Sequence, residues 1–268
     1  MSWIGELSEE AGIWLMLKTK RILFDEESEI NGRVLVIDAE HFGRTMLIGH
    51  RLAFQTSERY DFYDETLGNV ALNEHPEPKR VLIIGGGDGK IARIAYAHGA
   101  EHVTILEIDP VVIRASRDIL RLDGGALERA RIIIGDAYEK IDEIEERFDV
   151  IIGDYSDPYP DEPAKSLLGE DFIKKLKEHL EPRGVIALQA GSPIFQRRLL
   201  EKVYRALSRE FRYTKIFRSP MPVYPSGIRS YVIASDREFS GPYREISGEF
   251  YNTKIHKALF SLPSLMEE

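Results

Sequence analysis

A glycine-rich turn that contains a carboxylate is the feature of this chain that points most directly to chemistry. The turn is Gly85-Gly-Gly-Asp88-Gly89, and it follows the apolar run Val81–Ile84. Glycines after a strand let the backbone come close to a nucleotide or nucleoside. Asp88 would repel a phosphate or a carboxylate tail and would attract an ammonium group. The turn therefore predicts binding of a nucleoside that carries a positive charge.

Acidic residues also follow the next apolar runs along the chain. Glu107 lies 22 residues after Gly85, a spacing typical of an acid that accepts hydrogen bonds from ribose hydroxyls. Asp136 follows Gly135, and we predict that it accepts a hydrogen bond from an adenine amino group. An aspartate that only forms the turn is the alternative at this position.

Two further aspartates, Asp154 and Asp157, follow the run Val150–Ile152. An aliphatic ammonium titrates near pH ~10, so an amine must lose a proton before it attacks as a nucleophile. A carboxylate that orients the amine and accepts its proton suits this task. A metal site is the other use of such a pair, but the seven histidines of the chain are scattered, and we predict no metal.

The surrounding pattern predicts the elements that must position these residues. Residues 1–57 show short apolar runs separated by turns, which indicates a small antiparallel sheet, and a helix is predicted from about Ser57, as its cap, to Leu72. From Arg80 onwards, apolar runs alternate with helical segments, as in a doubly wound, mostly parallel, Rossmann-like α/β sheet. We therefore predict two domains, 1–57 and 58–268. Ligands bind at the carboxyl edge of such a sheet, so the acidic residues should converge there.

Composition narrows the class of protein. The 268 residues carry a net charge of −9, which argues against nucleic acid as a partner because duplex binding needs a basic face. Cysteine is absent, so disulfides and thiolate chemistry are excluded. The first residues lack the pattern of a signal peptide, and no apolar run reaches the roughly 18 residues of a membrane span. We predict a cytoplasmic protein without a membrane segment.

A series of ordered motifs spans nearly the whole chain. It resembles the aminopropyltransferases of the spermidine synthase family. The motifs are Gln55-Thr-Ser-Glu-Arg59, Tyr63-Asp-Glu65, the run from His75 to Gly89, Glu107-Ile-Asp109, Gly135-Asp136, Asp154-Tyr-Ser-Asp-Pro158, Pro222-Val-Tyr-Pro-Ser-Gly227 and Tyr251-Asn-Thr-Lys-Ile-His256.

The resemblance implies transfer of the aminopropyl group of decarboxylated S-adenosylmethionine, a co-substrate, to a polyamine acceptor in spermidine and polyamine biosynthesis. It releases 5′-methylthioadenosine, and no prosthetic group is implied. A homodimer or homotetramer, associating through the N-terminal sheet, is also implied. By position, Asp154 deprotonates the amine while Tyr63 and Tyr224 orient it, and Asp157 helps to hold the acceptor's distal cation. The donor-binding positions are Gln55, Gly85, Asp88, Glu107 and Asp136.

Two residues depart from the family pattern. Asp64 stands where His or Gln is usual, and we expect an extra carboxylate there to bind the acceptor and to favour a longer or more highly charged amine. A solvent-facing substitution without effect is the alternative. Lys90 replaces a frequent glycine, and because it begins a helix we expect its side chain to point outward.

Two other functions compete with aminopropyl transfer. A methyltransferase that uses intact S-adenosylmethionine would share the fold, but Asp88 and Asp154 would repel the carboxylate of that donor. A non-catalytic polyamine-binding protein would not need Asp154. The preferred acceptor depends on the depth of the pocket, which the loops around 157–168 and 219–228 set, and the sequence does not reveal it.

Overall fold

The protein contains two β-sheets of different kinds, as the sequence predicted. The structure is a computed structural model that describes residues 2–8, 11–157, 167 and 169–266. The first sheet has five strands and the second has seven. The end of the first sheet at Ser57 coincides with the predicted boundary, and the division into two domains there stays a prediction.

The N-terminal sheet is an antiparallel meander in which each strand pairs with the next along the chain. The first strand was not predicted, because Gly5 and Glu6 interrupt its apolar pattern. Gly5 is required there, since a Cβ atom would lie only 1.9 Å from the carbonyl oxygen of Leu15 on the neighbouring strand. The strands are β1 (Ser2–Ser8), β2 (Ile13–Ser28), β3 (Gly32–Ala39), β4 (Gly43–Ile48) and β5 (Ala53–Ser57).

Helix α1 (Phe62–Asn73) joins the two sheets and is buried along nearly its whole length. It begins later than predicted, and Ser57 as its cap was wrong: Ser57 ends β5 and its hydroxyl donates to the carbonyl of Arg59 at 2.6 Å. Glu65 on α1 accepts hydrogen bonds from three consecutive backbone N–H groups, residues 249–251, at 2.7–2.8 Å. The C-terminal segment thus fixes the helix that carries Tyr63 and Asp64.

The larger sheet has the order β11-β12-β10-β9-β6-β7-β8. Its strands β6 to β10 run parallel, and β12 and β11 add an antiparallel edge. The strands are β6 (Arg80–Gly85), β7 (His102–Glu107), β8 (Arg131–Ile134), β9 (Phe148–Asp154), β10 (Leu180–Gln189), β11 (Tyr213–Pro220) and β12 (Ile228–Ser235).

Helices and helical turns connect these strands. Helix α2 follows the glycine-rich turn, and Asp109 caps α3 by accepting a hydrogen bond from the Val111 N–H. The helices are α2 (Lys90–Ala97), α3 (Pro110–Ala115), α4 (Ala126–Arg129), α5 (Ala137–Lys140), α6 (Glu170–Glu178), α7 (Arg197–Glu210) and α8 (Thr253–Leu259), with a π-helical turn at Ser116–Leu120 and 3₁₀ turns at Ile141–Glu143 and Ser264–Met266.

The order of the parallel strands reverses beside β6, since β7 lies on one side of it and β9 on the other. Gly85 at the end of β6 is in register with Asp154 at the end of β9. Such a reversal opens a crevice at the carboxyl edge, where ligands bind in α/β sheets. Within the described part of the chain, no helix is long and apolar enough to cross a membrane.

Candidate active site

A cavity of about 510 Å³ lies at this carboxyl edge, between the two sheets. It brings together residues from the N-terminal sheet, α1, the glycine-rich turn and the ends of several parallel strands. All ten site residues predicted from the sequence line it: Gln55, Tyr63, Asp64, Gly85, Asp88, Glu107, Asp136, Asp154, Asp157 and Tyr224.

The glycine-rich turn packs directly against the end of β9. Gly85 has φ +77°, and a Cβ atom on it would lie 2.0 Å from the carbonyl oxygen of Asp154. The Gly86 N–H donates to that same oxygen at 3.0 Å. A Cβ on Gly87 would lie 2.6 Å from a carboxylate oxygen of Glu107. Glycine is therefore required for the turn to fit between the two acids.

Three carboxylates, those of Asp64, Asp88 and Asp154, meet in the cavity with oxygens within 4.8 Å of one another. Burial is the main cause that raises their pKa values, and the like charges add to it. The pKa of Asp88 is raised to about 6, that of Asp64 to about 7, and that of Asp154 well above its usual value. A cation placed among them would lower the free energy of their ionised forms.

Lys90 points inward, towards Asp64, and the expectation that it points outward was wrong. It is only 3% exposed, and its Nζ lies 2.8 Å from Asp61 Oδ1 and 3.0 Å from Asp64 Oδ2. It also donates to Thr56 Oγ1 at 3.1 Å. The reason is helix geometry, because a side chain in the first turn leans back towards the helix N-terminus, which here faces the cavity.

Asp64 is likewise buried, at 5% exposure, so a solvent-facing position is excluded. Its charge is balanced by Lys90, and Asp61 is shared between Lys90 and Arg93, whose Nη2 lies 3.2 Å from Asp61 Oδ2. The two acids and two bases together are neutral. The extra carboxylate of Asp64 therefore adds no net negative charge to the pocket.

The donor-binding candidates Glu107 and Asp136 lie at the ends of parallel strands, as predicted, and Gln55 lies within β5. Glu107 is 6% exposed and accepts from the Asp109 N–H at 2.9 Å, and burial raises its pKa to about 7. Asp136 accepts from the Tyr138 N–H at 2.8 Å as the cap of α5, so the turn-forming role is present alongside its position in the cavity wall. Gln55 donates to the carbonyl of Ala53 at 3.4 Å.

Aromatic side chains flank Asp154. Tyr63, on α1, lies close enough to Asp154 that its hydroxyl opposes the rise in the pKa of that carboxyl. Its ring stands edge-on to that of Tyr224, with centroids 6.4 Å apart. Asp157 lies further along this wall and is ion-paired with Arg229. Of the loop predicted to set the pocket depth, residues 158–166 and 168 lie outside the described residues.

Among the described residues, the charged groups that escaped the sequence prediction include Glu6, Arg51 and Arg229 in the cavity wall and Lys90 as an inward group. Glu6 comes from the unpredicted strand β1 and is 8% exposed. Arg229 lies two residues after the motif that ends at Gly227. This position next to a family motif was the sequence signal that could have pointed to Arg229. Nothing in the local sequence around Glu6 distinguishes it from a surface acid.

Comparison with known proteins identifies the family. Residues 60–241, more than half of the chain, match the model of the spermine/spermidine synthase domain. The chain belongs to this family. The resemblance read from the motifs is therefore confirmed.

Relatives in the spermine/spermidine synthase family match almost end to end. A polyamine aminopropyltransferase of Moorella thermoacetica is 31% identical over 99% of this chain and 95% of its own length. A spermidine synthase of Schizosaccharomyces pombe is 33% identical over 99% of this chain and 93% of its own. These are enzymes, and the prediction that this chain is an aminopropyltransferase-type enzyme is confirmed.

Solved structures of spermidine synthases share the fold. One, in complex with the transition-state analogue AdoDATO, superposes with a TM-score of 0.91 at 29% identity and covers 99% of this chain and 94% of that one. Another, from Thermotoga maritima, gives a TM-score of 0.89 at 29% identity and covers 100% of this chain and 93% of that one. The predicted fold class is confirmed.

Because burial raises the pKa of Asp88, its ionised carboxylate is expected to lower the stability of the folded protein at neutral pH. A carboxyl group whose pKa rises on folding favours the folded state when protonated, and that contribution is lost as pH rises from 3.8 to about 6. Asp88→Asn removes the titration, so its stability relative to wild type should increase by about 3 kcal/mol between pH 3.5 and pH 8. Denaturant unfolding without ligand at the two pH values measures this.

Asp25→Asn is the matched control. Asp25 is a surface acid whose pKa is lowered by its hydrogen bonds with Arg33, so its contribution is present at neutral pH and lost on acidification. The relative stability of that variant should change slightly and in the opposite direction. Equal pH dependence of Asp88→Asn and wild type would contradict the assignment of a raised pKa to Asp88.

Proposed function

We propose that this enzyme transfers the aminopropyl group of decarboxylated S-adenosylmethionine to a polyamine acceptor and releases 5′-methylthioadenosine. The observation that carries the proposal is the meeting of two acids of the cavity, Asp88 and Asp154, beside a glycine turn. Both substrates are cations, and a buried acidic cavity favours their binding. The family relatives are named for this reaction or for spermidine synthesis.

The donor is assigned to the glycine-rich side of the cavity. The turn at Gly85 lets the nucleoside approach the backbone, Glu107 accepts from the ribose hydroxyls, and Asp136 faces the adenine. Gln55, on β5, forms part of the cavity wall on this side. Asp88 then holds the ammonium of the aminopropyl chain, with no prosthetic group or metal ion in the proposed reaction.

The acceptor amine is assigned to the space between Tyr63, Tyr224 and Asp154. Its nitrogen attacks the aminopropyl carbon next to the sulfonium, the new C–N bond forms, and the C–S bond breaks with its electron pair left on sulfur. Asp154 takes the proton of the amine, and its raised pKa suits a base. Placing the nitrogen in line with the C–S bond supplies much of the rate.

The methyltransferase alternative fits the charges of the cavity poorly. Intact S-adenosylmethionine carries a carboxylate that would meet Asp88 and Asp154. The cation Lys90, beside this cluster, is already held by Asp61 and Asp64. A carboxylate brought there would lack a partner.

A product assay tests the proposal. The enzyme is incubated with decarboxylated S-adenosylmethionine and, in parallel, putrescine, cadaverine, agmatine, norspermidine and spermidine, and the products are separated by mass. We expect one dominant aminopropylated amine. The rate should be the same with EDTA, because the carboxylates of Asp88 and Asp154 can hold an ammonium group without a metal. Transfer to none of the amines, together with methyl transfer from intact S-adenosylmethionine, would refute the proposal.

The N-terminal sheet supports the predicted homodimer or homotetramer. Trp3 and Trp14 are 62% and 68% exposed, and Leu7 pairs with Trp14 on the same face. An apolar patch of this kind marks an interaction surface. We propose that copies of this chain associate there, and the cytoplasmic location stays a prediction.

A further inference from the structure

Arg229, near the start of β12, is a buried cation in the wall of the cavity. It is 7% exposed, and its guanidinium donates to both carboxylate oxygens of Asp157, with Nη1 3.0 Å from Oδ2. Nη2 also donates to Gln189 Oε1 at 2.5 Å. Its carbon Cζ lies 5.2 Å from the centroid of the Tyr224 ring. The arginine is therefore held in place by charge, hydrogen bonds and stacking.

This pairing changes what Asp157 offers to a substrate. Burial pushes the pKa of Asp157 up, but Arg229, together with the side chains of Gln196 and Gln189, outweighs burial and holds the pKa below its usual value. Asp157 is thus ionised, and both of its oxygens face the protein's own guanidinium in a bidentate pair, which is a strong geometry. An acceptor ammonium would have to displace that pair to reach Asp157.

Glu6, from β1, is another acid in the described part of this cavity wall. It is 8% exposed and accepts from the Phe54 N–H at 3.3 Å. Burial raises its pKa, and the charges of Asp157, Arg229 and Arg51 act on it. Arg51 is exposed, so water screens its charge. Among the buried groups, one carboxylate charge remains after Arg229 and Asp157 cancel.

We infer that Arg229 restricts the acceptor to a diamine, because it occupies Asp157. With Asp88, Glu107 and Asp136 assigned to the donor and Asp154 to the attacking amine, Glu6 is then the single buried carboxylate among the described residues of the cavity that can neutralise a distal ammonium. This inference rests on the proposed aminopropyl transfer. A triamine would bring a second ammonium, and the described part of the pocket offers it no acid beyond those already paired or assigned to the reacting groups. Asp64 does not supply one either, since Lys90 balances its charge.

The test compares putrescine, a diamine, with spermidine, a triamine, by kcat/KM in wild type and Arg229→Met. Methionine keeps an unbranched side chain over Tyr224 and removes the charge. We expect wild type to favour the diamine and the ratio of triamine to diamine kcat/KM to rise at least about tenfold in Arg229→Met, because Asp157 becomes available for a charged hydrogen bond.

The double variant Arg229→Met/Asp157→Asn distinguishes an effect of charge from an effect of pocket volume on acceptor choice. It restores the net charge of wild type while keeping the enlarged pocket, so the ratio should return towards the wild-type value. Arg229→Lys keeps a cation beside Asp157 and should retain the diamine preference. If the ratio of triamine to diamine kcat/KM stayed elevated in the double variant, pocket volume alone would determine acceptor choice, and the inference would be overturned.

Binding of 5′-methylthioadenosine, measured by calorimetry, shows that each variant is folded and holds the nucleoside. If Arg229→Met does not fold, Asp157→Asn alone serves instead, because it leaves Arg229 unpaired and should lower spermidine turnover more than putrescine turnover. An unchanged ratio in folded variants, or a wild-type preference for spermidine, would refute the role of Arg229. Absence of transfer to any amine by wild type would instead refute the proposed function.

Discussion

Replacing Asp154 with asparagine is expected to lower kcat for aminopropyl transfer by about 10³-fold, within the range of general-base catalysis. Asparagine keeps the shape of the side chain but cannot accept the proton of the attacking amine. The carboxylate is suited to this task because burial and the neighbouring charges of Asp64 and Asp88 raise its pKa. Binding of 5′-methylthioadenosine should change little, since that product lacks the aminopropyl group.

Single-turnover rates with saturating donor and amine measure this effect, and calorimetry with 5′-methylthioadenosine measures nucleoside binding. Asp149→Asn is the matched control, since Asp149 lies on the same strand and accepts from the Arg80 N–H at 2.8 Å, at the opposite edge of the sheet. Its kcat should stay close to that of wild type. A normal rate in Asp154→Asn would remove Asp154 from the mechanism.

Replacing Lys90 with methionine is expected to cost about 3–5 kcal/mol of stability, because it leaves buried carboxylates without their cation. Lys90 and Asp64 are 3% and 6% exposed in their side chains, so water cannot take over the missing contact. The double variant Lys90→Met/Asp64→Asn removes both charges, and Asp61 keeps Arg93. It should recover most of the lost stability.

Denaturant unfolding of the two single variants, the double variant and wild type gives the coupling between the residues. Lys79→Met is the control, because Lys79 pairs with Glu101 where both side chains are more than half exposed, and an exposed pair contributes about 0–1 kcal/mol. Additive losses from Lys90→Met and Asp64→Asn would show that the two side chains do not act as a pair.

The sequence predicted the parallel sheet and the edge where its ligands bind. Short apolar runs marked the strands from Arg80 onwards, and an acid or a glycine turn followed each of the first four runs. Parallel strands present their carboxyl ends at one edge, so Asp88, Glu107 and Asp154 had to converge whatever the details of packing. The sequence failed to predict an element where the local pattern was weak. Strand β1 was missed because Gly5 breaks the apolar alternation.

The ion pairs of the site could not be predicted from the local sequence pattern. Lys90 meets Asp64 only because α2 packs beside α1, and Arg229 meets Asp157 across 72 residues of sequence. The direction of the Lys90 side chain was mispredicted, since helix position alone does not say what lies beyond the helix N-terminus.

The sequence by itself thus determined the family, the sheet and the identity of the acids at its edge, because those follow from residue order and strand periodicity. Only the tertiary structure decided which acids remain available to a substrate. Asp64 and Asp157 are neutralised by Lys90 and Arg229, whereas Asp88 and Asp154 face each other in the cavity. Electrostatic energy depends on distance and burial, and both are properties of packing between elements far apart in the chain.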